Sequence, residues 1–336
     1  MMRAWQLEDF GLDCLKMVDV PTPEVGNKQV LIEVKAISLN YRDRAIIEGN
    51  YAPGTLTFPF IPTSDFSGKV VQVGKKVTQF KVNDRVISRL YAKSSKGTLD
   101  SNGDKHTLGG PLDGGLAEYV VLDEDDVVAL PGNLSYEAAA TLPIAAFTAW
   151  LSLVHYGALK SSDTVLIQGT GDVSLFGIQI AASVGANIIA TSSSNDKLSK
   201  LESYGVTHFI NYTTQPNWEN KVLEITNHKG VDHILEVVGG SNIQKSISLL
   251  AKKGKIYFIG FLESAIAEIN FMQLAEKQAQ TFGINTNHHD LYNKMIEDIN
   301  HLNLHPVIDS TFDFNDVVDA YQHLYENTFG KVVIKI

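Results

Sequence analysis

Cysteine is almost missing from this chain: Cys14 is the only one in 336 residues. No intrachain disulfide can form, which fits a reducing, cytoplasmic setting. Cys14 itself reads as a small hydrophobe beside a strand. No apolar run approaches the roughly 20 residues of a membrane-spanning helix, and Met1-Met2-Arg3-Ala4-Trp5-Gln6 has no apolar signal core. Surplus positive charge is lacking too. Lys and Arg number 28 against 38 Asp and Glu, a net charge of −10, the wrong sign for a partner whose phosphates need clustered cations. Neither nucleic acid nor membrane is expected as a partner. Low-complexity tracts are absent as well. What remains is 44% hydrophobic residues over a length that suits about two domains with substantial cores.

The most informative stretch present is Thr164 to Gly177, TVLIQGTGDVSLFG. A β-rich run stops at Gly169-Thr170-Gly171-Asp172-Val173-Ser174, and an apolar-periodic segment with Phe176, Ile178 and Ile180 follows. Strand, glycine turn and helix in that order form the context of a dinucleotide fingerprint. The first glycine allows the sharp turn, the second admits the pyrophosphate, and the helix amides meet its charge. Ser174 takes the third, helix-packing position. A second strand, Asn187 to Thr191, ends about 20 residues after the turn, where an NAD binder places an acidic residue on the ribose 2′-hydroxyl. Here it runs into Ser192-Ser193-Ser194, with Lys197 one turn into the next helix. Hydroxyls and an ammonium accept a 2′-phosphate that a carboxylate would repel, so NADP(H) is favoured over NAD(H). The same serines would also cap a helix.

Along the chain the pattern changes once and changes back. From Arg3 to about Leu122 the segments are short and β-rich: Gln29 to Ile37 alternates as a half-buried strand, and Asn83-Asp84 turns into Arg85-Val86-Ile87. Tyr91 to Gly115, rich in Gly, Ser and Asp, reads as a long surface loop. Strands then alternate with helical stretches. His208 to Asn211, Val231 to Val237, Lys255 to Gly260 and Thr281 to Asn285 are the later strands, so a parallel sheet with helices on both faces is expected. The tail offers helices near 290–300 and 315–325 and a last strand, Lys331 to Ile336, that returns to the first domain.

Several spaced motifs then converge: Asn40-Tyr41-Arg42-Asp43, Asn83-Asp84-Arg85-Val86, Gly114-Gly115-Leu116-Ala117-Glu118-Tyr119, Ala140-Thr141-Leu142-Pro143, Thr148-Ala149-Trp150, Gly169-Thr170-Gly171 and Gly330-Lys331-Val332-Val333-Ile334. Over essentially its whole length the chain resembles the medium-chain dehydrogenase/reductase superfamily, in its zinc-independent quinone-oxidoreductase-like branch. The resemblance implies an α/β fold: a GroES-like β-barrel catalytic domain (1–125, completed by 290–336) and a Rossmann doubly wound parallel sheet (126–289), with NAD(P)H held in the cleft between them.

It also implies where function sits. The alcohol dehydrogenases of that superfamily take a catalytic zinc from residues matching Asn40, Thr63-Ser64-Asp65 and Ile144; of these only Asp65 could ligate a metal, and one carboxylate does not make a tetrahedral site. Their structural zinc lobe needs four cysteines, and Tyr91 to Gly115 has none. No metal is expected. Uncharged donors would then stabilise charge on the acceptor oxygen: Asn40 and Tyr41 on the floor of the substrate site, Tyr51 stacking on a planar acceptor, and Asp65 orienting its neighbours. Thr148 would buttress the nicotinamide, and Tyr212 would lie near the adenosine phosphate. Val238-Gly239 and Gly260-Phe261-Leu262 end strands at the carboxyl edge where such sheets bind ligands.

Two departures stand against the resemblance. Asp172 replaces a glycine of the phosphate turn, and Thr286-Asn287-His288-His289 lacks an arginine that relatives carry. Three functions follow: an NADPH-dependent reductase of quinones, enones, enals or small carbonyls; an alcohol dehydrogenase working without zinc; or a catalytically quiet NADP-binding structural protein. A homodimer through strand 281–285 is the expected assembly, since that strand would otherwise be an exposed edge.

Overall fold

The computed structural model describes residues 1–92, 106–130, 132–302, 304–326 and 328–336. Residues 93–105 of the expected surface loop lie outside the described residues. In chain order the elements are β1 (Met2–Leu7), β2 (Leu15–Val20), β3 (Gln29–Ser38), α1 (Tyr41–Ile47), β4 (Asp65–Val73), β5 (Arg85–Ser88), β6 (Tyr119–Asp123), β7 (Val127–Ala129) and α2 (Tyr136–Ala140). Then come α3 (Phe147–Trp150), β8 (Thr164–Gln168), α4 (Asp172–Val184), β9 (Asn187–Ser192), α5 (Asn195–Lys200), β10 (His208–Asn211), α6 (Trp218–Ile225), β11 (Val231–Glu236) and α7 (Asn242–Leu249). The chain closes with β12 (Leu250–Phe258), α8 (Phe271–Lys277), β13 (Gln280–Gly283), α9 (Leu291–Leu302), β14 (Ile308–Asp313), α10 (Val317–Leu324) and β15 (Lys331–Lys335). Among the described residues no helix is long and apolar enough to cross a membrane.

The chain divides into two compact units, one of residues 1–145, 286–300 and 306–336, the other of 146–285 and 301–305. The boundary expected at 125 falls at 145 for a physical reason. Strand β7 pairs antiparallel with β5, and α2 packs on β3 and β4, so the segment 127–140 buries its apolar side in the first unit. Likewise the second boundary falls at 285 rather than 289.

In the first unit a sheet runs β14-β15-β3-β4-β5-β7, with β6 on β3, while β1 pairs β2. Strand β3 is its centre, pairing antiparallel with β4, β6 and β15. Its inward residues Val30, Ile32, Val34 and Ile37 are completely buried against Phe66 and Val332. Each such side chain contributes about 1.5–3 kcal/mol by leaving water. The last strand thus returns to the first unit, as its Val332-Val333-Ile334 run demands.

The second unit is a six-stranded parallel sheet, β10-β9-β8-β11-β12-β13. Chain order reverses between β8 and β11, which makes the carboxyl ends of those two strands the topological switch point where such sheets hold ligands. Strand β8 is buried on both faces and reads accordingly as the near-continuous apolar run Val165-Leu166-Ile167. Helix α4 lies close to the sheet because Gly177 carries no side chain: a Cβ there would stand 2.4 Å from Leu235 Cδ1.

Candidate nucleotide and catalytic sites

The phosphate turn forms as its glycines require. Gly169 adopts φ 75°, a left-handed conformation that costs glycine nothing. Gly171 is the N-cap of α4, and a Cβ built on it would meet nothing within 4 Å, so its backbone faces open space. That is the approach a pyrophosphate needs. Thr170 is buried, and Val173 is half-buried at the helix start. Ser174 departs from the expectation. Its hydroxyl donates to Gln168 O at 2.7 Å and so pins the turn, whereas the close helix–strand approach occurs one turn later, at Gly177. The reason is polarity: the buried Ser174 hydroxyl needs an acceptor, and the carbonyl at the end of β8 supplies one.

Asp172 turns back on its own helix. Its Oδ1 accepts from Val173 N at 2.8 Å, which places a carboxylate on an amide that would otherwise be offered to a phosphate. An acidic residue in a first turn stabilises the helix end, at the expense of a competing anion there.

At the end of β9, Ser192 is buried and its Oγ accepts from Ser194 N at 3.2 Å. Ser194 caps α5 by accepting from Lys197 N at 3.3 Å. Ser193 is half-buried, and its carbonyl accepts from Thr213 Oγ1 at 3.3 Å. Capping and a hydroxyl cluster thus coexist. Tyr212 is 42% exposed just beyond β10, and its N–H donates to Ser192 O at 3.1 Å. Strands β11 and β12 end on two loops tied to each other: Gly240 N donates to Ser264 O at 2.9 Å and Glu263 N to Val238 O at 2.7 Å. Gly239 is buried at φ 78°; Val238, Gly260 and Phe261 are half-buried, while Leu262 is exposed. Thr148 in α3 is buried, and its carbonyl accepts from Ser152 Oγ at 2.8 Å.

In the first unit the fold brings Asn40, Asp65 and Ile144 together, but as a hydrogen-bond cluster. Asp65 is fully buried, with Oδ1 accepting from Ser64 Oγ at 2.8 Å and Oδ2 from Ile144 N at 3.0 Å. Burial pushes its carboxyl up, against the pull of the Lys331 ammonium. Asn40 caps α1: its N–H donates to Asp43 Oδ2 at 2.8 Å, and its Oδ1 accepts from Lys331 Nζ at 2.6 Å. Because an ammonium only donates, the amide orientation is fixed. The Nδ2 that results is buried and lacks a hydrogen bond of normal geometry, although the amide is near enough to Asp65 to help hold that carboxyl down. Among the described residues no group of three or more His, Cys, Asp or Glu could hold a metal ion.

Tyr41 and Tyr51 are half-buried. The Arg44 guanidinium lies 5.9 Å from the Tyr41 ring centre and that of Arg42 5.1 Å from Tyr51. Arg42, itself buried, donates to Leu108 O at 3.1 Å, Thr107 Oγ1 at 3.0 Å and Gly110 O at 2.7 Å. It holds the 107–110 loop in place. Arg42 and Lys331 stand inside the Asn40–Asp43 and Gly330–Ile334 motifs, but nothing in their local sequence names these partners. Lys331 is 1% exposed, yet in the Lys331–Ile336 run it looks no different from Lys335, which is exposed. Only its place in the Gly330-Lys331 motif sets it apart.

Residues 26–132 match the family described as Alcohol dehydrogenase GroES-like domain, and residues 173–301 that described as Zinc-binding dehydrogenase. A zinc-type alcohol dehydrogenase-like protein of Schizosaccharomyces pombe is 38% identical over 98% of this chain and 97% of its own length. Human quinone oxidoreductase is 27% identical over 99% and 98%. A crystal structure of a candidate alcohol dehydrogenase from Sinorhizobium meliloti 1021 superposes with a TM-score of 0.92 at 39% identity, covering 100% of this chain and 98% of that one. The chain therefore belongs to the medium-chain dehydrogenase/reductase superfamily, as an oxidoreductase of the quinone oxidoreductase-like and alcohol dehydrogenase-like kind with a nucleotide-binding dehydrogenase fold.

Proposed function

We propose that this oxidoreductase uses NADPH, works without zinc, and transfers hydride to a quinone, an enone or enal, or a small carbonyl. One observation carries the cofactor choice: β9 ends on Ser192, followed by Ser193 and Ser194, with Lys197 in the next helix, and the next acidic residue in the chain, Asp196, lies past the strand end in the first turn of that helix. The open backbone face at Gly171 supports dinucleotide binding. When bound, NADPH supplies the hydride. The chain's own residues do the rest. Amides of Gly169 to Ser174 hold the pyrophosphate, and Ser192, Ser193 and Lys197 hold the 2′-phosphate. Thr148, Val238, Gly239 and Gly260 to Leu262 bound the nicotinamide end, with Tyr212 beside the adenosine.

Zinc independence rests on the donor set. Over the three segments that the resemblance matches to catalytic zinc ligands stand Asn40, an amide already bonded to Lys331; Thr63-Ser64-Asp65, whose one carboxylate is already bonded to Ser64 and Ile144; and Ile144. The acceptor oxygen then takes its proton or hydrogen bond from a phenol. Tyr41 is the donor, Asn40 offers a second one in its buried Nδ2, Tyr51 stacks on a planar acceptor, and Asp65 orients its neighbours.

The competing reading is a protein that binds cofactor poorly and turns nothing over; Asp172 on the phosphate turn favours it. Parallel fluorescence titrations of chelator-treated protein with NADPH and NADH decide. NADPH binding at least about tenfold tighter, or about 1.4 kcal/mol, supports the proposal, and quinone or enone reduction should survive the chelator. Activity lost with the metal would sink zinc independence. Binding of neither nucleotide would leave the quiet protein as the better reading.

A further inference from the structure

Glu236 is the last residue of β11 and completely buried, and among the described residues no ion pair is recorded for it. A charge so placed is costly unless hydrogen bonds satisfy it. Here they do. Oε1 accepts from Val238 N at 3.0 Å, Gly239 N at 3.1 Å and Asn242 Nδ2 at 3.1 Å. Oε2 accepts from Gln168 Nε2 at 3.0 Å, from Asn242 Nδ2 at 3.0 Å and from Ser246 Oγ. Its backbone carbonyl accepts from Ile259 N at 2.9 Å and Gly260 N at 3.2 Å. Every group facing the side chain is a donor, so only an acceptor-only residue fits. An amide would set its own NH₂ against theirs.

These donors sit on the segments that surround the switch point. Gln168 ends β8, and its carbonyl holds Ser174 of the phosphate turn; Val238-Gly239 and Ile259-Gly260 are the loops after β11 and β12. We propose that Glu236 is a positioning residue that preorganises the nucleotide cradle. Its carboxylate ties the end of β8, and through it the phosphate turn, to the loop after β11, while its backbone carbonyl holds the loop after β12, all before the cofactor arrives. The inference rests on the cofactor reading above for its consequence, but not for its geometry. Preorganisation lowers the ordering cost that binding would otherwise bear.

A matched control lies on the same strand. His233, three residues earlier, is equally buried, bonded to Tyr257 OH at 2.9 Å and Asp163 Oδ2 at 3.2 Å, but at the opposite, amino edge of the sheet. Wild type, Glu236→Gln and His233→Gln are compared by thermal unfolding, NADPH titration and amide hydrogen exchange of the cofactor-free protein. Glu236→Gln should bind NADPH about tenfold more weakly and exchange faster at 169–174 and 238–240, with 259–260, held by the retained backbone carbonyl, as the internal reference. His233→Gln should lose stability yet bind within about twofold of wild type. Unchanged exchange at 169–174 and 238–240 in Glu236→Gln, or an equal loss of affinity in both variants, overturns the proposal. If Glu236→Gln does not fold, Gln168→Met, which removes the side-chain bonds from the end of β8 to Glu236 and Ser246 while keeping the carbonyl that holds Ser174, carries the same comparison at 169–174. Should wild type bind no nucleotide, the cofactor reading fails while the exchange comparison still decides the role of Glu236.

Discussion

Lys331 Nζ donates to Asn40 Oδ1 at 2.6 Å, joining the chain's last strand to the cap of α1 across 291 residues. The ammonium also faces the buried carboxyls of Asp65 and Asp43, lowering both against the effect of burial. Lys331→Met leaves Asp65 without the cation that opposes its burial, while Asp43 keeps Arg42, and breaking such a buried arrangement costs about 3–5 kcal/mol. Adding Asp65→Asn to that variant should recover part of the loss, because the uncompensated carboxylate drives it. Urea unfolding of the two single variants and the double variant measures the coupling; simple additivity would show that Lys331 and Asp65 act independently.

Asp43 makes stability depend on pH. Burial raises its carboxyl from 3.8 to about 6, against the pull of the Arg42 guanidinium. A raised carboxyl binds its proton more tightly in the folded state, so its contribution to stability grows as pH falls from about 6 toward 4 and is lost on the way back up. The full effect is about 3 kcal/mol. Asp43→Asn removes this term. The difference in melting temperature between variant and wild type should therefore change across pH 4 to 6, and a difference that stays constant there would refute the assignment.

Asp172 holds the amide of Val173 that a bound phosphate would use. Asp172→Asn keeps an acceptor at that position and removes the charge, so NADPH affinity should rise about tenfold, with helix stability falling by about 0.3–1 kcal/mol. Titrations at two salt concentrations check it, since the gain should shrink as ions screen the repulsion. No change in affinity would mean the carboxylate lies away from the phosphates.

Ser193 tests the proposed 2′-phosphate site. Ser193→Asp places a carboxylate at the end of β9, where it should repel a 2′-phosphate and accept from a 2′-hydroxyl. The ratio of NADH to NADPH dissociation constants should fall by at least about tenfold. An unchanged ratio would move the 2′-phosphate site elsewhere.

Strand β13 is the outer strand of its sheet, paired only with β12 among the described residues. Thr281 on it is exposed, as are Phe271 and Met272 on α8 nearby in sequence. A homodimer that pairs two copies of β13 covers this edge. Light scattering should give twice the 36.9 kDa chain mass, and Thr281→Lys, a charge on an edge strand, should shift it toward monomer. A wild-type monomer would remove the proposal.

Local pattern was enough for much of this protein. Strands β8 and β10 lie over the segments Thr164 to Gln168 and His208 to Asn211 expected from the sequence. The Gly169 turn, the serine-rich end of β9 and the lack of zinc-ligating side chains at Asn40 and Ile144 are likewise properties of short segments, because backbone conformation and side-chain chemistry act locally. What tertiary structure decided is how buried polar groups are paired. Glu236 and Lys331 read as single charges among apolar residues, and nothing nearby in sequence names Gln168, Ser246 or Asn40 as their partners. The cost of burying a charge is settled only when distant donors and acceptors close around it, so those assignments, and the division of the chain at 145 rather than 125, come from packing alone.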